Sequence, residues 1–534
     1  MIQFLGKEWF VVPLLLLVFF AQIFLGARLF SVAMDEQIHL PAGFVHLEAK
    51  EIEFRKSNAP FIGMLAALPS FLFSKPNINI KEPDILSNNF WDFGNKFLFS
   101  NNADRLVFFG RMVVALLSVL MAFYVFKWAK ELFADKAGIF SLFLFVFIPV
   151  VVGHSQFIST DVGLAVFFFI SCYYFWRSVK EGRLKHKVLA GVFLGMALGA
   201  KFSGVLLAPL FLLFALLTTS DGRGTSDVNK RTFDVKKISQ KLRNFAGIIL
   251  PIFAVGFLIL WTIYFFPTDP YFYSDGLRSI YAEDANPNYQ IYLNGNFKEG
   301  GWWYYFLEGF AIKTPIPFLI FLFCSLFLFK KHRITFTDKM FLLMPVIFLT
   351  IFTSLSAHNL GVRYLVPIYP FLAVYSSGII NLIGKKTKLV LLVLLSVWYA
   401  FSSISAHPNQ LAYFNEFVGG SDNGYKYMDD SNIEWGQDLK RLKKFIDYNP
   451  KTKVVYIWRQ GDRALDYYGI GKEKNIIDLK ENWWAKPKGI YAVSSHFLVR
   501  AKVMSEVYGE PSLDWTSLYK PVNKIGQSFF IYEF

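Results

Sequence analysis

The chain has 534 residues, 54% of them hydrophobic and 19% aromatic, with 61 phenylalanines. The apolar residues come in blocks near membrane-spanning length rather than in amphipathic alternation, which excludes an ordinary soluble globule and indicates a mainly α-helical polytopic membrane protein. The formal charge of +15 does not call for a nucleic-acid partner: from Ala406 onward 18 Lys and Arg nearly balance 16 Asp and Glu, so the excess lies in the membrane part, much of it in alternate loops.

The first apolar run, Phe10 to Phe30, ends near Ser31-Val32-Ala33, which loosely resembles a cleavage site. About twenty apolar residues exceed a signal-peptide core, so an uncleaved span is expected. Directly beyond it stand Asp35-Glu36 and then His39, opening a large first loop over 32–104. A loop of that size ahead of many spans usually carries function. Glu36 and His39 are candidate ligands for a divalent metal, since carboxylate oxygen and imidazole nitrogen suit one; a helix cap beside a hydrogen-bonded histidine is the plainer reading.

Eleven spans are expected, near 10–31, 105–126, 137–153, 161–177, 188–200, 203–219, 245–266, 304–329, 339–356, 364–383 and 389–405. Basic residues collect in every second connection: Lys127 and Lys130; Arg177 to Lys187; Arg223 to Arg243; Lys330, Lys331 and Arg333; Lys385 to Lys388. The positive-inside rule makes these the cytoplasmic loops. The connections Gly153 to Thr160 and Ala357 to Val362 hold no Lys or Arg and fall on the other side, with the first loop and the tail. As one helix 188–219 would run about 48 Å, so two short spans meeting at Lys201 are expected there. Cys172 and Cys324 lie inside apolar runs, so neither a disulfide framework nor a cysteine zinc site is expected.

The stretch Asp221 to Arg243 reads as a flexible cytoplasmic loop without a motif, and the loop from Phe266 to Gly301 leads into Trp302-Trp303-Tyr304-Tyr305, aromatics suited to the membrane interface. Two domains are expected: a membrane domain over 1–405 and a small extracytoplasmic α/β domain over 406–534. The latter has a helical pattern at Gly436 to Tyr448 and strand-like runs at Val454 to Trp458, Gly489 to Ser494 and Phe529 to Tyr532. It could serve as a binding module or as a lid.

Polar groups stand at span ends on one membrane face: Asp35-Glu36, Asp161 after His154-Ser155-Gln156, Lys201, and Arg363 after His358-Asn359. An ionised group at the centre of a span costs roughly 2.5–3.5 kcal/mol and less near its end, so such placement favours pairing, water or a ligand. Lys201 and Arg363 could snorkel or pair with Asp161 and Asp35, or all could face one cavity. Transfer of a sugar from a lipid phosphate needs a base for the acceptor's proton and cations for the departing phosphate, parts that fit Asp35 with Lys201 or Arg363. A phosphate monoester's second ionisation lies at about pH 6, so the leaving group departs without a proton and a second carboxylic acid is not required. Glycoside hydrolysis differs in normally using two carboxyl groups.

These features resemble the protein O-mannosyltransferase-like family of polyprenyl-phosphate-dependent glycosyltransferases, which has the multispan GT-C fold. The resemblance rests, in order, on Asp35-Glu36, His154 to Asp161, Gly199-Ala200-Lys201-Phe202, Lys313-Thr314-Pro315 and Gly361-Val362-Arg363-Tyr364-Leu365-Val366-Pro367. Tyr413-Phe414-Asn415-Glu416 and then Asp430-Ser431-Asn432-Ile433-Glu434-Trp435-Gly436-Gln437-Asp438-Leu439 are similar to a motif of a bacterial branch, which usually has Asp where Glu434 stands. That motif could cap the helix from Gly436 or bind the acceptor, which makes Asp430, Asn432, Glu434, Trp435, Gln437 and Asp438 candidates, with His39, His358 and Asn359, for acceptor or structural roles.

The resemblance implies Asp35 as catalytic base, with Asp161 and Lys201 completing the site; the charge pattern adds Glu36 to the catalytic candidates, sets Lys201 and Arg363 on the donor phosphate, and puts the site outside the cytoplasm, as in a bacterial plasma membrane. The resemblance also implies a polyprenyl-phosphate sugar as donor, a protein, lipid or glycan as acceptor, and inversion at the anomeric centre. Where relatives commonly carry His-Pro-Pro or Lys-Pro-Pro, this chain has Asn58-Ala59-Pro60-Phe61, so no metal or phosphate contact is carried over from that element. A transporter or lipid flippase is the competing reading, although no pair of inverted halves is visible; a noncatalytic assembly protein is a third.

Overall fold

The computed structural model describes residues 8–220, 235–284, 290–332, 334–356, 358–456, 461–476, 488–509 and 518–534. Residues 221–234 of the expected cytoplasmic loop, Arg333, Ala357 and the end of the strand expected at Val454 to Trp458 lie outside these. Among the described residues eight helices are long and apolar enough to cross a membrane, or up to ten if each of two bent pairs is one span.

Proline accounts for both bends. The span expected over 137–153 consists of Asp135–Val146 and Pro149–Ser155, bent by 62°, because Pro149 forces Ile148 into an extended conformation with ψ 110°. The span expected over 304–329 bends by 113° between Tyr305–Lys313 and Ile316–Phe327, with Thr314 extended ahead of Pro315 at ψ 132°. The expected span 188–200 is the helix Leu184–Ala200, whose 17 residues reach about 26 Å, short of a bilayer core of about 30 Å. Its Gly191 lies so close to the helix Val235–Ile263 that a Cβ would stand 2.6 Å from the Ile252 carbonyl.

The helix Thr160–Glu181 is buried along nearly its whole length and packs chiefly against Leu184–Ala200, Ala103–Phe133 and Val362–Ile368. At one end of the bundle Lys130 pairs with Glu8 and Asp135, and Lys180 pairs with Asp338 at 2.8 Å. The other end carries the 32–104 segment, the antiparallel hairpin Gln290–Leu293 with Asn296–Glu299, and the C-terminal sheet.

That sheet has four strands. Lys453–Val455 runs parallel to Ile490–Ser494, which pairs antiparallel with Phe529–Glu533, which in turn pairs with Asn523–Ile525 at the edge. The edge strand has only three residues and follows Pro521, too short for an alternation to announce it. The helix expected from Gly436 begins at Leu439, since Gly436 takes φ +84°, a left-handed conformation foreign to a helix. Packing changes there too. Ala412, Phe414, Val418, Met428 and Ile433 belong to the apolar cluster of the bundle, and a separate core begins at Leu439.

Candidate active site

Four charged side chains from four parts of the chain meet at the end of the bundle that carries the sheet. Asp35 stands at the first residue ahead of the helix Glu36–Ala49, Asp161 lies in the first turn of Thr160–Glu181, and Arg363 is the second residue of the 3-10 run Val362–Ile368. Lys201 sits between Leu184–Ala200 and Phe202–Leu206 in extended backbone, φ −160° and ψ 144°. Each therefore occupies an interruption or end of helix, where a polar group reaches the water-facing end of a bundle at least cost.

The four form an alternating chain. Lys201 Nζ donates to Asp161 Oδ1 at 2.5 Å, Arg363 Nε lies 4.0 Å from Asp161 Oδ2, and Arg363 Nη1 donates to Asp35 Oδ2 at 2.5 Å. Asp161 and Arg363 are nearly closed off, whereas the Asp35 and Lys201 side chains remain 25% and 23% exposed and open to solvent. Burial raises the Asp35 carboxyl, but Arg363, His39 and Lys201 together outweigh it and hold it below its ordinary 3.8. Rings line the cations: Lys201 Nζ lies 4.2 Å from the centre of the Tyr364 ring, and the Arg363 guanidinium lies 5.2 Å from that of Trp435.

Glu36 stands apart from this chain. Its carboxylate is fully buried and accepts from Arg111 Nε at 2.8 Å and Nη2 at 2.6 Å, from the Ala33 amide at 2.8 Å and from the Ile158 amide at 3.0 Å. Arg111 also donates to the carbonyls of Ala27, Phe30 and Ser31, the open end of the helix Glu8–Leu29. Glu36 thus ties the turn before Asp35 to the turn before Asp161 and has no oxygen left over for a metal. Among the described residues no three His, Cys, Asp or Glu side chains gather as a metal site. His39 is buried with Nε2 3.9 Å from Asp35; burial lowers its pKa to about 4 against the pull of Asp35, so it is neutral at pH 7.

Asn359 accepts from the Trp302 amide at 2.7 Å and so anchors the segment ahead of Tyr305–Lys313, with half-buried His358 beside it. The 430–439 motif is buried in the joint between bundle and sheet. Asn432 Oδ1 accepts from the Val362 amide at 3.0 Å and its Nδ2 donates to Tyr305 Oη at 2.8 Å. Gly361 is needed beside it: its φ is +129° and a Cβ would strike Ser431 Oγ at 2.2 Å. Glu434 accepts from Ser495 Oγ and the His496 amide, both at 2.9 Å, at the start of the helix Ser495–Tyr508.

Gln437 Nε2 donates to Ser528 Oγ at 2.9 Å and the Gln437 carbonyl accepts from the Ser31 amide at 3.0 Å. Asp438 stands ahead of Leu439–Tyr448 without capping it; its carboxylate accepts from Ser528 and Arg441. Asp430 takes φ +62° and accepts from the Ser431 amide. Two further charges complete the scaffold. Lys313, buried, donates to the Leu411 and Asn432 carbonyls, and Arg111 was discoverable as an arginine inside an apolar run, where an ion needs a buried partner.

The family model described as dolichyl-phosphate-mannose-protein mannosyltransferase matches residues 98–229. No curated protein sequence matches the chain. The fold is similar to the crystal structure of ArnT from Cupriavidus metallidurans in the apo state, at 14% identity over 98% of this chain and 97% of that one, with a TM-score of 0.50. The structure of the same protein bound to undecaprenyl phosphate has a TM-score of 0.48 at 13% identity, with the same coverage. Archaeal oligosaccharyltransferase AglB from Archaeoglobus fulgidus, in complex with an inhibitory peptide and a dolichol-phosphate, gives 0.47 at 13% identity over 96% of this chain and 73% of that one. The likeness to apo ArnT along nearly the whole chain gives the protein the GT-C fold, its eight to ten described apolar helices suit a membrane domain, and the family match inside it makes the chain resemble the protein O-mannosyltransferase-like family.

Proposed function

We propose that the protein is a membrane glycosyltransferase that moves a sugar, a mannose or another hexose, from a polyprenyl-phosphate carrier to a protein, lipid or glycan acceptor. The observation that carries this reading is the alternating chain Lys201, Asp161, Arg363, Asp35, two cations within ion-pair reach of two carboxylates at one end of a membrane bundle. Basic residues gather at the opposite end, which supports a site outside the cytoplasm by the positive-inside rule, across a bacterial plasma membrane. Residues 1–405 would carry the transfer and 406–534 would cover it.

In this reading the donor phosphate draws Arg363 away from Asp35 and is met by Lys201. Asp35, released from Arg363, becomes a stronger base and takes the proton of the acceptor as its oxygen or nitrogen forms the new bond to the anomeric carbon. The bond from that carbon to the phosphate oxygen breaks with its electron pair leaving on polyprenyl phosphate, where the cations hold the charge. One displacement from the face opposite the phosphate inverts the anomeric centre. Asp161 keeps Lys201 in place, while Glu36 serves through the backbone it ties down.

A screen of lipid-linked sugar donors against the purified protein in lipid, with mass analysis of the products, tests the proposal. Release of polyprenyl phosphate together with a glycosylated acceptor is expected; donor flux across the membrane without transfer would favour a flippase instead.

A further inference from the structure

Through one residue the 430–439 motif reaches Arg363 and the turn that precedes Asp35. Trp435 is buried, with its ring facing the Arg363 guanidinium, 5.2 Å from ring centre to Cζ. Its carbonyl accepts from the Met34 amide at 2.9 Å, one residue before Asp35. The ring is itself held on edge by His154 and Phe157, with centres 5.6 Å away in both cases. Its amide donates to Gln437 Oε1 at 2.6 Å, so the side chain of the same segment closes the turn. Asn432 fixes the backbone on the other side of Arg363 through the Val362 amide.

We infer that Trp435 is a positioning residue: its ring holds the Arg363 guanidinium plane where the donor phosphate arrives, and its carbonyl keeps the Asp35 turn in register with it. This rests on the proposed function, in which Arg363 holds the phosphate. A guanidinium held over a ring face by its charge keeps its rigid fork of N–H donors in one place for an anion. The backbone contact to Met34 survives any change of the side chain. Removal of the ring therefore loosens phosphate binding while the base stays in place.

The experiment measures binding of polyprenyl monophosphate, and donor KM and kcat, for the full chain in lipid nanodiscs. Trp435→Leu is expected to weaken binding and raise donor KM about tenfold, and Trp435→Phe, which keeps a weaker ring, by a few-fold, with kcat at saturating donor falling less than KM rises. A double-mutant cycle removes the structural explanation. In an Arg363→Ala background, which leaves the ring no cation to hold, Trp435→Leu is expected to change binding less than twofold.

Equal losses in both backgrounds, or no loss in either, would overturn the inference, and Trp435→Phe carries the same test if Trp435→Leu does not fold. Arg363→Ala separates the two levels. If it binds polyprenyl monophosphate as well as the native chain, the phosphate reading has failed. If it loses binding while Trp435→Leu does not, only the role of Trp435 has.

Discussion

Glu36 and Arg111 form a buried fork that turns Glu36 away from its sequence neighbour Asp35 and toward the loop that carries Asp161. The side chains are 0% and 2% exposed, so removal of either partner leaves an uncompensated buried charge. Glu36→Gln and Arg111→Met are each expected to cost about 3–5 kcal/mol of stability. Thermal unfolding in detergent measures this, and native melting of Arg111→Met would show that the fork does not hold the turn.

Arg363 and Lys201 differ in what they can give a phosphate. Arg363→Lys keeps the charge but loses the planar fork, and Lys201→Met loses the charge outright. Each is expected to lower kcat/KM for the lipid donor by about 10²-fold or more. Initial rates with a matched donor check this, and a loss under threefold for Lys201→Met would remove that residue from the phosphate.

Acid should destabilise the fold through two histidines. His39 and His46 are buried and take up a proton near pH 4 when folded, against an ordinary 6.5. The unfolded chain therefore binds more protons between those values, so stability is full above pH 6.5, falls as pH drops through that window and levels off below about 4. Each ring contributes up to about 3 kcal/mol to that fall. His46→Gln is expected to flatten the stability curve over the window, as followed by urea unfolding against pH. Asp35, whose carboxyl is held below 3.8 mainly by Arg363 against its burial, stays ionised throughout the same window.

Glu434 supplies a buried negative charge to the start of the helix Ser495–Tyr508. Glu434→Ala is expected to cost about 1–2 kcal/mol and to act locally. Hydrogen exchange should quicken in that helix and leave Thr160–Glu181 unchanged; exchange that quickens equally in both would show that the residue braces the whole bundle.

Much of the fold was legible because an apolar run of span length in a charged chain leaves little ambiguity, and because an ion at the end of such a run stands out. That logic placed Asp35, Asp161, Lys201 and Arg363 at one face, and the structure brings them within ion-pair distances of one another. It fell short where an ion inside a run gave no sign of its partner. Arg111 lies within the span expected over 105–126, and its pairing with Glu36 is a contact across 75 residues that no local pattern announces. Pro149 and Pro315 were visible, but the size of each bend depends on what the second half packs against. The role of the 430–439 motif was illegible for a similar reason: its partners Ser31, Met34, Val362, Ser495 and Ser528 are distant in sequence.

Burst kinetics of polyprenyl phosphate release from a matched donor, compared between the native chain and Asp35→Asn in lipid, test the role of Asp35 most directly. The amide keeps the shape of the carboxylate but cannot take the acceptor's proton. The rate is expected to fall about 10²- to 10⁴-fold, with polyprenyl phosphate still bound and unfolding still cooperative. Release by Asp35→Asn at the native rate would contradict the account.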